Sequence, residues 1–196
     1  MIPGMASALP AGTAAGDYDA TAKWLHWLVF VLVLVQFIVS IAMPPMRRGT
    51  VPGPLINLHF SLGVLIFVVV ALRWLRRLRR PVALSMPDSA AWERLTAGAT
   101  HALLYALLLA GPLLGWAAAS ARDFPVTFFK LFALPYLVPA GTRAGFTAGD
   151  VHSFLMWTLL ALVGLHSAAA LYHHYYRHDG VLRRMLPSRS AARTTR

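Results

Sequence analysis

The chain is 196 residues long, 58% hydrophobic and only 13% charged, with a mean hydropathy of +0.59. Soluble domains carry about 25% charged residues, so this composition excludes a disordered chain, and it argues against a nucleic-acid partner in spite of the net charge of +11. The absence of cysteine excludes thiolate zinc sites, iron–sulfur clusters, c-type haem attachment and disulfides, leaving eight histidines for any metal or redox chemistry.

In chain order, residues 1–17 read as a flexible tail. The opening MIPGMASALPAGTAAG lacks the basic n-region and apolar h-region of a signal peptide, so the first span is expected to act as its own anchor. Four stretches near 24–43, 55–75, 99–120 and 151–172 then reach the about 20 residues that cross a bilayer. Each is apolar nearly all round, unlike a surface helix of a soluble protein. The segment FPVTFFKLFALPYLVP at 124–139 is broken by Pro125, Pro135 and Pro139 and reads as an aromatic-rich piece lying at the outer interface. No segment reads as a strand. Residues 188–196 form a basic tail. The expected fold is an all-α membrane protein, a four-helix transmembrane up-down bundle formed by one domain at 18–187.

Charge sets the orientation. Lys23, Arg73, Arg76, Arg77, Arg79, Arg80 and Arg94, with six arginines from Arg177 onward, fall on the side that carries both termini. Only Arg47, Arg48, Arg122, Lys130 and Arg143 fall on the other. The positive-inside rule therefore predicts that both termini are cytoplasmic.

Ionisable residues inside a membrane are costly and usually functional. In an up-down bundle His59 and His152 lie near the outer face, whereas His26 and His101 lie near the inner one. His166 follows His152 by fourteen residues, which on a helix is roughly 21 Å further in and about 40° round. One helix thus offers two imidazoles to the interior at two depths. That is what two bis-histidine haems require, since bundle cores build cofactor sites from facing helices. The outer pair is His59 with His152; the inner pair is His166 with either His26 or His101. Gly63, one turn from His59, would let a flat ring approach, and Gly115 and Gly164 could serve likewise. Arg73, fourteen residues after His59, falls at the depth of inner-haem propionates.

These pieces resemble the bacterial cytochrome b561 proteins, within the wider group of dihaem cytochrome b subunits of hydrogenases and formate dehydrogenases. The similarity runs through YDATAKWLHWLVF at 18–30, LINLHFSLG at 55–63 and HALLYALLLAGPLLGW at 101–116. Its most specific part is DVHSFLMWTLLALVGLHSAAALYHHYYRHDGVLRRMLP at 150–187. The resemblance implies two haem b groups, one between His59 and His152 and the other between His26 and His166. His101 and Tyr105 then become pocket residues. It also implies electron exchange with the ubiquinone pool in the bacterial inner membrane. Some members oxidise superoxide at the periplasmic face; others relay electrons for a partner dehydrogenase or hydrogenase. Arg47, Arg48, Lys130 and Arg143 would give the outer rim a field that attracts a small anion. His173, roughly 10 Å beyond His166, is the candidate quinone residue, beside an aromatic belt of Tyr172, Tyr175 and Tyr176.

Overall fold

A computed structural model describes residues 19–46, 50–79 and 90–186. The expected tails, and the two candidates Arg47 and Arg48, lie outside these residues. The fold is mostly helical. Helices α1 (Ala20–Ala42), α2 (Pro54–Arg79), α3 (Ala91–Ala121) and α4 (Arg143–Tyr172) are each long and apolar enough to cross a membrane. They begin up to eight residues before the expected spans, because the apolar run marks the part inside lipid whereas helical hydrogen bonding continues into the interface.

Local chemistry explains several ends. The Asp19 carboxylate caps α1 by accepting the Ala22 N–H at 2.8 Å. Its other oxygen accepts from Arg76 Nη2 at 2.6 Å, tying the start of α1 to the end of α2. Arg76, Arg77 and Arg79 occupy the last turn of α2, where cations complement the helix dipole. Pro112 lies inside α3 and deprives the Leu108 carbonyl of its usual donor.

Between α3 and α4 the expected interfacial segment contains a feature that the sequence reading lacks. Strands β1 (Thr127–Phe128) and β2 (Phe132–Ala133) form a two-stranded antiparallel hairpin. Each strand is too short for an alternating pattern to register. The turn closes through Leu131 N–H to Phe128 O at 2.8 Å, with Phe129 and Lys130 at φ of 47° and 62°. Positive φ at both central positions is the turn that matches strand twist. Ser61 of α2 pins the hairpin down. Its hydroxyl lies 2.8 Å from Asn57 O and 3.0 Å from Thr127 O, and it accepts the Phe129 N–H at 2.9 Å. Ser61 is 2% exposed, so Ser61→Ala should strand the Phe129 N–H and cost about 1–3 kcal/mol. A lower thermal midpoint in detergent would register that loss; an unchanged midpoint would show that the hairpin is held elsewhere.

Backbone proximity is greatest between α3 and α4 and between α1 and α2, with α2 against α3 next. Helix α4 makes few close backbone approaches to α1 or α2. Side chains bridge the middle: Val29, Val33, Ile66, Val69, Val70, Leu107, Leu108 and Leu159 form one buried cluster drawn from all four helices. A second cluster around Ile56, Phe60, Ala119, Phe124 and Val126 seals the hairpin end.

Candidate functional site

Across the seam between α4 and the α1–α2 pair, histidines face one another at two levels. At the hairpin end the rings of His59 and His152 have centroids 6.3 Å apart and planes at 87°. At the other end His26 and His166 stand 6.4 Å apart at 75°, and His101 approaches His166 to 5.4 Å. Metal–imidazole bonds of about 2.0 Å, placed on opposite sides of one iron, hold ring centres roughly 6–6.5 Å apart. The first two pairs match that span, and the His101–His166 pair is shorter than it.

The partners of each ring decide which nitrogen is free. His152 Nδ1 lies 2.8 Å from the Gly111 carbonyl. A carbonyl can only accept, so Nδ1 carries the proton and Nε2 keeps its lone pair, the arrangement of a ligating histidine. Gly115 sits one turn further along α3, and a Cβ there would stand 3.1 Å from the His152 ring. At His59, the Gln36 amide nitrogen lies 3.4 Å from Nε2 and donates to the His59 carbonyl at 3.1 Å. A donor against Nε2 again marks a ring lone pair, while His59 Nδ1 and Gln36 Oε1 are buried without hydrogen-bond partners among the described residues. His59, Gly63, Gly115, Gln36 and His152 all line a cavity of about 380 Å³. A Cβ on Gly63 would meet only Gln36 Nε2, at 3.7 Å, whereas one on Gly164 would meet nothing. The His152 Nε2 lone pair, the ring spacing and a glycine-faced cavity fit a haem at this level, and iron at His59 Nε2 would take the place of the Gln36 amide.

The other level is organised differently. Arg73 Nη1 lies 2.9 Å from His26 Nδ1, and Arg73 Nε donates to the Tyr105 hydroxyl at 3.0 Å. Its guanidinium carbon stands 5.9 Å from the Tyr105 ring centroid. Arginine can only donate, so Nδ1 of His26 accepts and the ring proton sits on Nε2. Iron at that nitrogen would require the proton to leave and Arg73 to exchange its partner. Arg73, His26, Tyr105, His101 and His166 therefore form one connected group, with His101 Nδ1 buried and without a hydrogen-bond partner among the described residues.

Two residues of the hairpin-end cavity escape the sequence reading. Gln36 is a lone amide in an otherwise apolar stretch of α1, and its intramembrane polarity was the available signal. Among the described residues, Arg122 is the only formally charged one lining the cavity. It reaches back to the Ala118 carbonyl at 3.0 Å, its guanidinium carbon lies 5.4 Å from the Phe146 ring centroid, and it pairs with no carboxylate among the described residues. Lys130 and Arg143 are exposed, at the hairpin tip and the first turn of α4; neither lines the cavity. His173 lies beyond α4 at the opposite end, in a wide turn described below.

A membrane bundle with facing imidazoles at two depths is the framework of a b-type cytochrome, in which haem is held by side chains alone. The profile of the prokaryotic cytochrome b561 family matches residues 17–188, and the chain belongs to that family. It is 32% identical to cytochrome b561 homolog 2 of Escherichia coli, over 89% of this chain and 93% of the relative. It is 30% identical to a probable superoxide oxidase, CybB, of Yersinia pestis, over 88% and 97%. Cytochrome b561 homolog 1 of Escherichia coli is 26% identical over 88% and 98%. The protein is a haem-binding bacterial membrane cytochrome that takes part in electron transfer.

Proposed function

We propose that the protein carries two haem b groups and passes electrons from a small anionic donor, superoxide, to ubiquinone. In this reading His59 and His152 hold the haem at the hairpin end, and His26 and His166 hold the other. The observation that carries it is the pair of imidazole couples at ligand spacing, both bridging the same seam. Bound haem would supply a one-electron carrier at each level; the chain's own residues supply ligands, burial and charge.

His152 is oriented by the Gly111 carbonyl and His59 is contacted by Gln36. Gly63 and Gly115 keep the approach clear of side chains. Arg73, with Tyr105 and His101 around it, would meet the propionates at the other level. In this reading both termini are cytoplasmic and the hairpin end faces the periplasm across the inner membrane, an orientation that the positive-inside distribution supports. Superoxide would then arrive at the hairpin end. The relative named as a probable superoxide oxidase supports that donor, as does the Arg122 cation lining the cavity. Lys130 and Arg143 would add to that field from the exposed rim, and by their place in the sequence Arg47 and Arg48 are proposed to do the same. His173 is the residue placed to serve quinone at the cytoplasmic end.

The test is a purified, haem-loaded protein given a superoxide source and a short-chain ubiquinone. Two haems per chain, reduced by superoxide and reoxidised by quinone, are expected; a single haem or no response to superoxide would sink the reading. Arg122→Gln should slow haem reduction by superoxide roughly three-fold at low ionic strength, and the gap should shrink as salt rises. Equal rates in dilute buffer would remove Arg122 from this role.

A further inference from the structure

Beyond the last turn of α4 the chain builds a second ionisable group, away from the paired histidines. Residues His173–Arg177 form a π-helical turn, a widened turn that often marks functional sites. His178 follows at φ 52°, in the left-handed region, and its N–H returns to the His173 carbonyl. That reversal is needed, because six residues of unbroken α-helix would carry Asp179 about 240° round the axis from His173. Instead the Asp179 carboxylate accepts a hydrogen bond from His173 Nδ1. Its second oxygen accepts the Val181 N–H at 3.2 Å.

The pair is anchored from outside. Arg177 Nη1 bonds Glu93 Oε1 of α3 at 2.6 Å, and Glu93 Oε2 accepts the Ala90 N–H at 3.2 Å. Asp179 and the Tyr172 ring contact His173, while Arg177 acts on the Asp179 charge and ties this segment to Glu93 of α3. Side-chain exposures of 18% for His173 and 28% for Asp179 leave the pair partly open to water. Burial alone would push the Asp179 carboxyl up, but the His173 hydrogen bond, the Val181 N–H and the charges of His173 and Arg177 hold it below the ordinary carboxylate range.

We infer that His173 and Asp179 form a proton-delivery dyad for a quinone reduced at this end of the bundle, with His173 the donor and Asp179 its positioning residue. The inference rests on the quinone reading above and adds the route of the protons. Asp179 fixes Nδ1 and leaves Nε2 without a partner among the described residues, the division of labour by which a carboxylate orients a working imidazole. In each transfer the Nε2–H bond of the imidazolium breaks and an O–H bond forms on the reduced quinone. The imidazole keeps its Nδ1 proton on Asp179 and regains the other from water. Two electrons from two superoxide ions, with two such protons, convert one quinone to quinol and release two molecules of oxygen.

The experiment follows reoxidation of the pre-reduced, haem-loaded protein by a short-chain ubiquinone between pH 5.5 and 8.5. His173→Asn retains an amide donor for Asp179 but lacks Nε2, so a merely structural bond survives in it. We expect His173→Asn and Asp179→Asn to slow reoxidation at pH 7 by about 100-fold or more. Asp179→Glu, which keeps a carboxylate to orient Nδ1, should restore most of the wild-type rate. Reduction of the haems by superoxide should be unchanged in all three. If quinone reoxidises every variant at the wild-type rate across this range, the dyad is refuted while the quinone reading stands. If quinone fails to oxidise the wild type, the quinone reading itself falls. Should Asp179→Asn not accumulate with haem, His173→Asn alone decides, by the same rate comparison.

Discussion

Haem content should fall from about two per chain to about one in His152→Ala, with the remaining haem spectrally that of the other level. The reason is local. His152 enters the cavity already committed to one tautomer by the Gly111 carbonyl, and its partner ring stands 6.3 Å away. Alanine leaves His59 as the only imidazole of that pair, and no other histidine lines the cavity to replace it. His59→Ala should give the same count. The stability effect should also be large, since a ligand held at a thousand times its dissociation constant stabilises the folded state by about 4 kcal/mol. A pyridine haemochrome count, with thermal unfolding in detergent alongside, checks both. Two haems retained in either variant would contradict the proposed outer pair.

The second large effect concerns the other level, where three histidines compete for two positions. His26→Ala and His166→Ala should each remove one haem, whereas His101→Ala should keep both and alter only the spectrum or potential. Ring spacing favours this assignment, since 6.4 Å suits a shared iron and 5.4 Å does not. The Arg73 bond to His26 points the other way for the ring as placed, because it puts the proton on Nε2. Metal affinity through that ring therefore includes the cost of releasing Arg73, and Arg73→Met should change haem affinity at this level by about 10- to 100-fold, the usual range for residues behind a ligand. Retention of two haems in His26→Ala together with loss in His101→Ala would reverse the pairing.

How much of this was legible in the chain depends on whether the information is local. The four spans follow from uninterrupted apolar runs, and the facing of His152 and His166 follows from fourteen-residue spacing on one helix. The pairing of His59 with His152 could be read because depth in an up-down bundle is fixed by position within each span. Depth does not fix lateral neighbours, so spacing alone left His26 and His101 equivalent. Their distances to His166 depend on how α1 and α3 sit beside α4. Arg122 was visible as one cation among five on its side, yet its place at the cavity depends on α4 packing against α3 at Gly149, where a Cβ would stand 3.1 Å from Arg122 Nη1. Asp179 is six residues from His173, and only a π-turn followed by a left-handed residue brings them together. The hairpin at 127–133 is held by Ser61, sixty-eight residues before Phe129, a tie that no local pattern contains.

The seam along α4 has a consequence for how the protein is made. Helices α1 and α2 close on each other, as do α3 and α4, so the chain can enter the membrane as two self-contained helical hairpins. Every proposed iron ligand pair takes one member from each hairpin. Bound haem would then add ties across the seam to those already made by the shared apolar cluster and by Ser61, and a chain without haem would be held by those alone.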